Sequence, residues 1–379
     1  MSTTTTVTIA PPAEAVLRTD TEPKQESGHS SKPLVLGDTL NKFKQEDSTP
    51  VIGREFFDAN LVDDFLNAEN SDDLLRDLAI TISQRGVVFF RAQDNLTDDL
   101  QKVLIQRLGQ LAGKPAESTL HVHPFTNTTR EFASADPEIS TISSYSRKYL
   151  AEKGIKGEPR RGDNRRTGAA IWHSDIQFEP VPADYTSLRL TELPETGGDT
   201  LWASGYELYD SFSEAYQKFF EGLTATFQGD GFTKQAAAHP DKYIINAGER
   251  GHPTNIGKEL EAIHPVVRTN PVTGWKSIFA VGPFPKRINE LSERESRELL
   301  DRFYRLIVDN HDLQVRFRWR NKNDIAIWDN RSAFHSATND YDHLGDRVGN
   351  RAVGIGEKPY LDPASKSRRE ALEEDAVKA

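Results

Sequence analysis

Val315-Arg316-Phe317-Arg318-Trp319-Arg320 alternates apolar and basic side chains. A two-residue alternation marks a strand with one face in a core, here with three arginines on its outer face. Close behind it, Asp324 to Asp329 is a second strand candidate, and upstream Val266 to Phe279 reads as a hairpin turning at Asn270-Pro271-Val272-Thr273-Gly274. Thr186 to Leu193 is strand-like, and Gly86-Val87-Val88-Phe89-Phe90-Arg91 reads as a buried strand. Helices gather earlier. Ser71 caps one whose Leu74, Leu75, Leu78 and Ile82 share a face and which Gly86 stops; Thr97 opens another carrying Leu100, Leu104 and Leu108. A later capping box, Ser292 with Glu295, precedes Leu299, Leu300, Phe303 and Ile307. Strands spread late without regular β-α alternation predict a mainly β fold, a sandwich or jelly roll with flanking helices, over a doubly wound sheet.

The chain has 379 residues, 47 basic against 58 acidic, for a formal net charge of −11. With 36 % hydrophobic and 28 % charged residues it has the composition of a soluble globular protein. The absence of cysteine removes disulfides, iron–sulfur clusters, thiolate zinc sites and cysteine nucleophiles together. Net acidity argues against a nucleic-acid partner, because phosphate neutralisation needs a clustered positive surface. No apolar run approaches the ~18 residues of a membrane span. The first basic residue is Arg18 and no apolar h-region follows Met1, so no secretory signal is expected and the location read is cytoplasmic. Residues 1–50 hold the Thr3 to Thr6 run and five prolines without periodicity, and are expected to be a disordered tail. Residues 366–379 read as a charged tail, which leaves 51–365 as the folded domain.

His-x-Asp occurs twice. On a strand this spacing aims an imidazole and a carboxylate the same way, and a second histidine from elsewhere completes a facial triad with open positions for Fe(II). In His239-Pro240-Asp241 the proline denies a central-strand assignment. His173-Ser174-Asp175 lies within the plausible strand Ala169 to Phe178, where the pair reads either as ligands or as a satisfied polar pair in the core. Downstream, Gly197-Gly198-Asp199-Thr200-Leu201-Trp202 lacks the Lys-Ser/Thr of a phosphate-binding loop. His335 ends the apolar run from Ile327, with Arg347 and Arg351 behind it. That arrangement suits a metal that also binds a dianionic co-substrate, since arginine grips carboxylates bidentately. No Gly-x-Ser-x-Gly elbow or dinucleotide fingerprint appears, which lowers hydrolase and dehydrogenase readings.

From Gly53 to Pro363 the chain resembles the Fe(II)- and 2-oxoglutarate-dependent taurine dioxygenase family, in its fungal sulfonate-dioxygenase branch. The matching strings are Trp172 to Asp175, Thr196 to Trp202, His264 to Thr269, and Asn323 to Arg331. The resemblance implies a double-stranded β-helix (jelly-roll) core, with Fe(II) as cofactor and 2-oxoglutarate and O₂ as co-substrates. Position by position, His173, Asp175 and His335 resemble the iron ligands, and Thr200 and Arg347 the residues that hold the distal carboxylate of 2-oxoglutarate. Arg351 resembles the partner of the substrate's sulfonate, with His123 and the Ile176 N–H near that anion. Phe178 and Phe284 match the pocket wall. The implied reaction hydroxylates the carbon next to a sulfonate, releasing sulfite and an aldehyde with succinate and CO₂. Dimers or tetramers would fit the family.

Where taurine enzymes place an asparagine and a tyrosine around the amine, this chain aligns Ala169 and Thr126, which implies a preference for sulfonates other than taurine, or a broad sulfonate range, taurine-like or amine-free. The insertion 147–168 carries eight basic residues against three acidic ones, and reads as a solvated loop or as a lid that steers anions. His121, His264, His311 and His343 are expected to be structural, Asp199 to shape the turn before Thr200, and Arg316, Arg318 and Arg320 to form a solvated face. Two alternatives stand beside the sulfonate reading. One is a same-fold oxygenase acting on a carboxylate, such as an amino acid or aryloxyalkanoate. The other is a jelly-roll binding module without catalysis.

Overall fold

The computed structural model describes residues 32–125, 136–145, 172–341 and 343–378. Its architecture follows from a strand that is apolar on both sides. In β3 (Val87–Phe90), Val88 and Phe90 enter one core while Val87 and Phe89 enter another. Its neighbour β13 (Ile325–Asp329) divides the same way, with Ile325 and Ile327 on the first side and Ala326 and Trp328 on the second. A sheet built of such strands must be covered on both faces.

These two strands lie in a seven-stranded sheet with β1 (Gln45–Asp47), β2 (Arg54–Phe56), β4 (Ile139–Ser143), β5 (Ala183–Glu192) and β15 (Val348–Ile355), in the order β1-β2-β3-β13-β5-β15-β4. The first face is covered by α1 (Ser71–Arg85) and α2 (Asp98–Leu111). Asn70 rather than Ser71 is the residue before α1, because the Ser71 hydroxyl donates back to the Leu66 carbonyl. Gly86 ends that helix at φ 72°, a conformation that disfavours any side chain. The second face is covered by a three-stranded sheet of β6 (Thr200–Ser204), β12 (Gln314–Phe317) and β14 (Ala333–Ala337), in the order β12-β6-β14. Phe89 stacks on Phe317 at 4.1 Å and Trp202 meets Trp328 at 5.7 Å, so aromatic side chains fill the space between the sheets. The fold is the mainly β jelly roll expected from the sequence.

A further sheet, β7 (Thr224–Gln228), β8 (Glu261–Pro265) and β11 (Pro285–Ile288), and the hairpin β9 (Val267–Thr269) with β10 (Lys276–Ile278) extend the second side. Two short helices, α3 (Gly205–Asp210) and α4 (Glu214–Glu221), lead into β7, and α5 (Asp230–Ala238) follows it. The capping-box helix α6 (Glu293–Asp309) packs Leu299, Phe303 and Ile307 against this side.

Three expectations change. The strand beginning at Val315 ends at Phe317 rather than Arg320, because the Asp324 carboxylate captures the N–H groups of Arg320 and Asn321 and turns the chain. Arg316 is not merely solvated, since its Nε donates to Asp199 Oδ2 at 2.8 Å. The segment expected to lack structure up to residue 50 is placed from residue 32. There the Leu34 N–H donates to the Val272 carbonyl, and the buried Asp77 carboxylate accepts from the N–H groups of Gly37 and Thr39 and from the Thr39 hydroxyl. At the other end, α7 (Arg368–Lys378) is tied down by Arg368 on Glu207 and by the Arg369 N–H on Asp210.

Burial pushes the Asp184 carboxyl on β5 up to about 6, with Lys114 and Arg331 only partly offsetting it. Its Oδ2 has no hydrogen-bond partner. The fold therefore favours the protonated acid, and stability falls as pH rises from about 4 through 6, by up to about 3 kcal/mol. Asp184→Asn is expected to raise Tm above pH 7 and to leave it unchanged near pH 4. A thermal melt series in which the two proteins melt alike above pH 7 would refute this.

Candidate metal centre and active site

β14 and the segment at His173 meet in a single antiparallel bridge. The His173 N–H donates to the His335 carbonyl at 3.1 Å, and the His335 N–H returns a bond to His173 at 2.8 Å. Residues directly opposite in such a bridge project to the same side, and the two rings lie 4.3 Å apart. His335 thus stands in the middle of β14 rather than at the end of the strand from Ile327. The expected strand Ala169 to Phe178 also differs: within its described part, 172–178, only the His173 bridge is present. Ile176 turns the chain at φ 48°, and the backbone that would have paired is held by a side chain instead. The Asp175 N–H donates to Asn330 Oδ1 at 3.0 Å, and the Ser174 hydroxyl donates to the Asn330 carbonyl at 2.7 Å. The Gly282 backbone, at φ 103°, lies so near Trp172 that a Cβ there would come within 2.5 Å of the Trp172 carbonyl oxygen.

Asp175, two residues past His173, shares its side. Its Oδ1 lies 3.9 Å from His173 Nε2 and 4.0 Å from His335 Nε2, and the three ligand atoms fall within 4.8 Å of one another. These separations are too long for hydrogen bonds. Two ligand bonds of roughly 2.1 Å span at most about 4.2 Å, so each histidine lies within reach of an ion shared with Asp175, and a spread of up to 4.8 Å would close by roughly half an ångström to seat all three donors on it. Among the described residues this is the one group of three or more His, Asp or Glu so arranged. Burial pushes the His335 imidazole down to about 3, with His173 adding to the effect. The ring is therefore neutral and its Nε2 can offer a lone pair. Burial raises the Asp175 carboxyl, but Arg351 and the two imidazoles outweigh it and hold the group below the usual carboxylate range. The donor set of two imidazoles and one carboxylate fits Fe(II).

Arg351 donates through Nη1 to Asp175 Oδ1 at 2.5 Å. Arg347 stands four residues earlier on the same extended run, roughly 13 Å along it. Its Nη2 donates to Thr200 Oγ1 at 3.2 Å and its Nε to the Gly198 carbonyl at 2.8 Å. Gly198 permits this approach, since a Cβ there would sit 2.9 Å from Arg347 Cδ. Thr200 reaches the site through register: His335 opposes Trp202 and Ala337 opposes Thr200, so Thr200 lies diagonally beside His335 on one face. The two guanidiniums therefore hold different groups, Arg351 the Asp175 carboxylate and Arg347 the Thr200 hydroxyl and the Gly198 carbonyl.

Phe284 approaches the His173 ring at 6.1 Å and Phe178 at 5.2 Å, which makes an aromatic wall beside the ligands. His123 is joined to that wall through Phe232, and its Nδ1 accepts from the Phe125 N–H. Of the sequence-derived residues, His173, Asp175, His335 and Arg351 form one cluster, Thr200 and Arg347 a second, and Phe178, Phe284 and Ile176 the border. Thr126, Ala169 and the insertion 147–168 lie outside the described residues.

Several supporting residues were not singled out from sequence. Asn330 is the main one. Buried in the turn between β13 and β14, it also donates to the Asp184 carbonyl and Thr186 Oγ1 and accepts from the Trp328 indole, fixing Asp175 to two strands. Trp319 Nε1 donates to Thr200 Oγ1 at 3.2 Å. His121, expected to be structural, lies 3.6 Å from Glu179, which Arg250 grips with both Nε and Nη2. The sequence signal for Asn330 was a polar turn too short to leave the core; the others carried none. His264 is a core histidine as expected, with its Nε2 placed between the carbonyls of Gln177 and Glu179.

A jelly roll holding a His-Asp-His triad, with Arg351 on its aspartate and Arg347 on Thr200, defines a 2-oxoglutarate-dependent non-haem iron dioxygenase, an enzyme class that uses Fe(II), 2-oxoglutarate and O₂. Residues 44–353 match the family model described as taurine catabolism dioxygenase TauD, TfdA family, and the chain belongs to that family. It is 49 % identical over 346 residues to the alpha-ketoglutarate-dependent dioxygenase btcD of Neocamarosporium betae, covering 90 % of this chain and 98 % of that one. Alpha-ketoglutarate is 2-oxoglutarate. The alpha-ketoglutarate-dependent sulfonate dioxygenase of Saccharomyces cerevisiae is 30 % identical over 87 % of this chain and 71 % of its own length. A crystal structure of a taurine dioxygenase from Burkholderia xenovorans superposes with a TM-score of 0.59 at 23 % identity, over 85 % of this chain and 94 % of that one. No helix among the described residues is long and apolar enough to cross a membrane.

Proposed function

We propose that this dioxygenase hydroxylates an organic anion at the carbon next to its anionic group, that the anion is a sulfonate, and that the product breaks down to sulfite and an aldehyde. The observation that carries this reading is Arg351 Nη1 at 2.5 Å from Asp175 Oδ1. A guanidinium bonded to a metal-ligating carboxylate places any anion it takes beside the metal. With Asp175 bound to a cation, Arg351 is released to pair with the anion that the substrate brings. In this reading His123 and the Ile176 N–H donate to its remaining oxygens, and Arg347 with Thr200 takes the distal carboxylate of 2-oxoglutarate.

The iron, with 2-oxoglutarate and O₂, supplies the oxidant that converts C–H to C–OH while 2-oxoglutarate becomes succinate and CO₂. The protein contributes position. Arg351 fixes which carbon lies nearest the metal, and the wall of Phe178 and Phe284 keeps water from the reacting bond. His335 stays unprotonated, so its nitrogen remains a ligand at neutral pH.

A carboxylate substrate is the second reading, because the Arg351 guanidinium pairs with a carboxylate as well as with a sulfonate. A panel of sulfonates and carboxylates, scored for succinate and sulfite in the same reaction, separates the two. Sulfite formed in step with succinate is expected. Succinate without sulfite, on carboxylates alone, transfers the assignment to the second reading.

A further inference from the structure

We propose that the substrate is a long-chain anion, its head on Arg351 and its apolar tail lying past Phe284 in a groove under α5, and that Ala238 and Gln235 limit how long a tail fits. This inference rests on the reading of Arg351 as the anchor of the anion.

The groove has a volume of about 630 Å³ and runs between α5 and the segment Pro283–Phe284. That size falls in the range of roughly 300–1,000 Å³ that accommodates drug-sized ligands, and far exceeds what a two-carbon sulfonate needs. One ring stands between it and the metal centre. Phe284 borders the groove on one side and faces the His173 imidazole and Phe178 on the other. Phe232 closes the other flank, half-buried, with its ring 5.5 Å from Phe178. Gly229 lets the start of the helix press this close, since a Cβ there would meet Leu260 at 3.0 Å and the Phe178 ring at 3.1 Å.

The helix itself has no buried residue. Its anchoring is the Phe232 ring, and its last turn offers Gln235 and Ala238 to the groove. Half-buried phenylalanines beside an alanine leave apolar surface that a hydrocarbon tail would remove from water. Charge at the mouth is compatible with an anion passing. The Asp230 carboxylate there is shared by Lys234 at 2.7 Å and Lys286 at 2.8 Å, which leaves a net positive rim.

The test uses the full-length protein loaded with Fe(II) and 2-oxoglutarate under anaerobic conditions. Dissociation constants are measured by calorimetry for the n-alkanesulfonates from ethanesulfonate to decanesulfonate, and for the matching alkanoates. Kd is expected to fall about three- to fourfold per added methylene until the groove is filled. Ala238→Trp is expected to flatten that dependence while ethanesulfonate affinity stays as in the wild type. Gln235→Trp tests the same wall should Ala238→Trp lose its melting transition. A Kd independent of chain length, or an undiminished slope in both variants, overturns the groove assignment and leaves the anion reading standing. Failure of every sulfonate and alkanoate to bind overturns the two together.

Discussion

Asp175→Ala is expected to abolish iron-dependent conversion of 2-oxoglutarate to succinate. Losing a residue that merely orients a metal ligand typically costs about 10–100-fold in affinity or activity, and Asp175 is itself a ligand, so the loss exceeds about 100-fold. Its removal also strands Arg351, whose Nη1 is bonded to Asp175 Oδ1 and whose side chain is only 16 % exposed. An unpartnered, largely buried guanidinium destabilises the fold, so the alanine variant mixes two effects. Asp175→Asn separates them, because the amide keeps the shape and an oxygen for Arg351 but lacks the charge that draws a cation. The asparagine variant should melt near the wild-type temperature and bind Fe(II) at least about 100-fold more weakly. Wild-type metal affinity in Asp175→Asn would remove the aspartate from the metal centre.

The second large effect is a split between the two arginines. Arg347→Ala is expected to raise KM for 2-oxoglutarate about 100-fold and to leave the substrate's KM nearly unchanged. A charge-assisted guanidinium–carboxylate contact contributes about 1.5–3 kcal/mol, and burial of Arg347 in contact with Thr200 and Gly198 places it at the upper end. Arg351→Ala is expected to do the reverse, and to increase succinate formed per substrate hydroxylated, because an anion without its anchor presents the wrong carbon. Arg351→Ala also leaves Asp175 without its counter-charge in the metal-free protein, so the melting temperature should fall more without Fe(II) than with it. Initial-rate kinetics in both co-substrates decide the assignment; an exchange of the two KM effects would mean that Arg347 holds the substrate and Arg351 the 2-oxoglutarate.

Asn330 shows why the ligands alone do not describe the centre. One amide receives the Asp175 N–H and the Trp328 indole and donates to β5. The neighbouring Asp329–Arg331 ion pair, buried and tied to Ser83 and Asn270, fixes the same turn from behind. The turn sets the start of β14, and β14 carries His335 opposite His173. Distant core contacts thus set the spacing of the three ligand atoms.

Local physics made much of this legible in one dimension. The alternation at Val315, the Ser292–Glu295 capping box, Gly86 as a helix stop and the two-residue offset of His173 and Asp175 depend on neighbours a few positions away, and pattern alone reports them. The ordered strings around Trp172, Thr196, His264 and Asn323 likewise carried the family. What the sequence could not supply was anything decided across strands. The pairing of His173 with His335, the diagonal placing of Thr200, the hold of Asn330 on Asp175 and the contact of Arg351 with a metal ligand each join residues more than a hundred positions apart. Such contacts form only when two sheets close on a shared core. Side-chain hydrogen bonds of this kind leave no periodic trace, because their partners are chosen by the packing of whole sheets rather than by spacing along the chain.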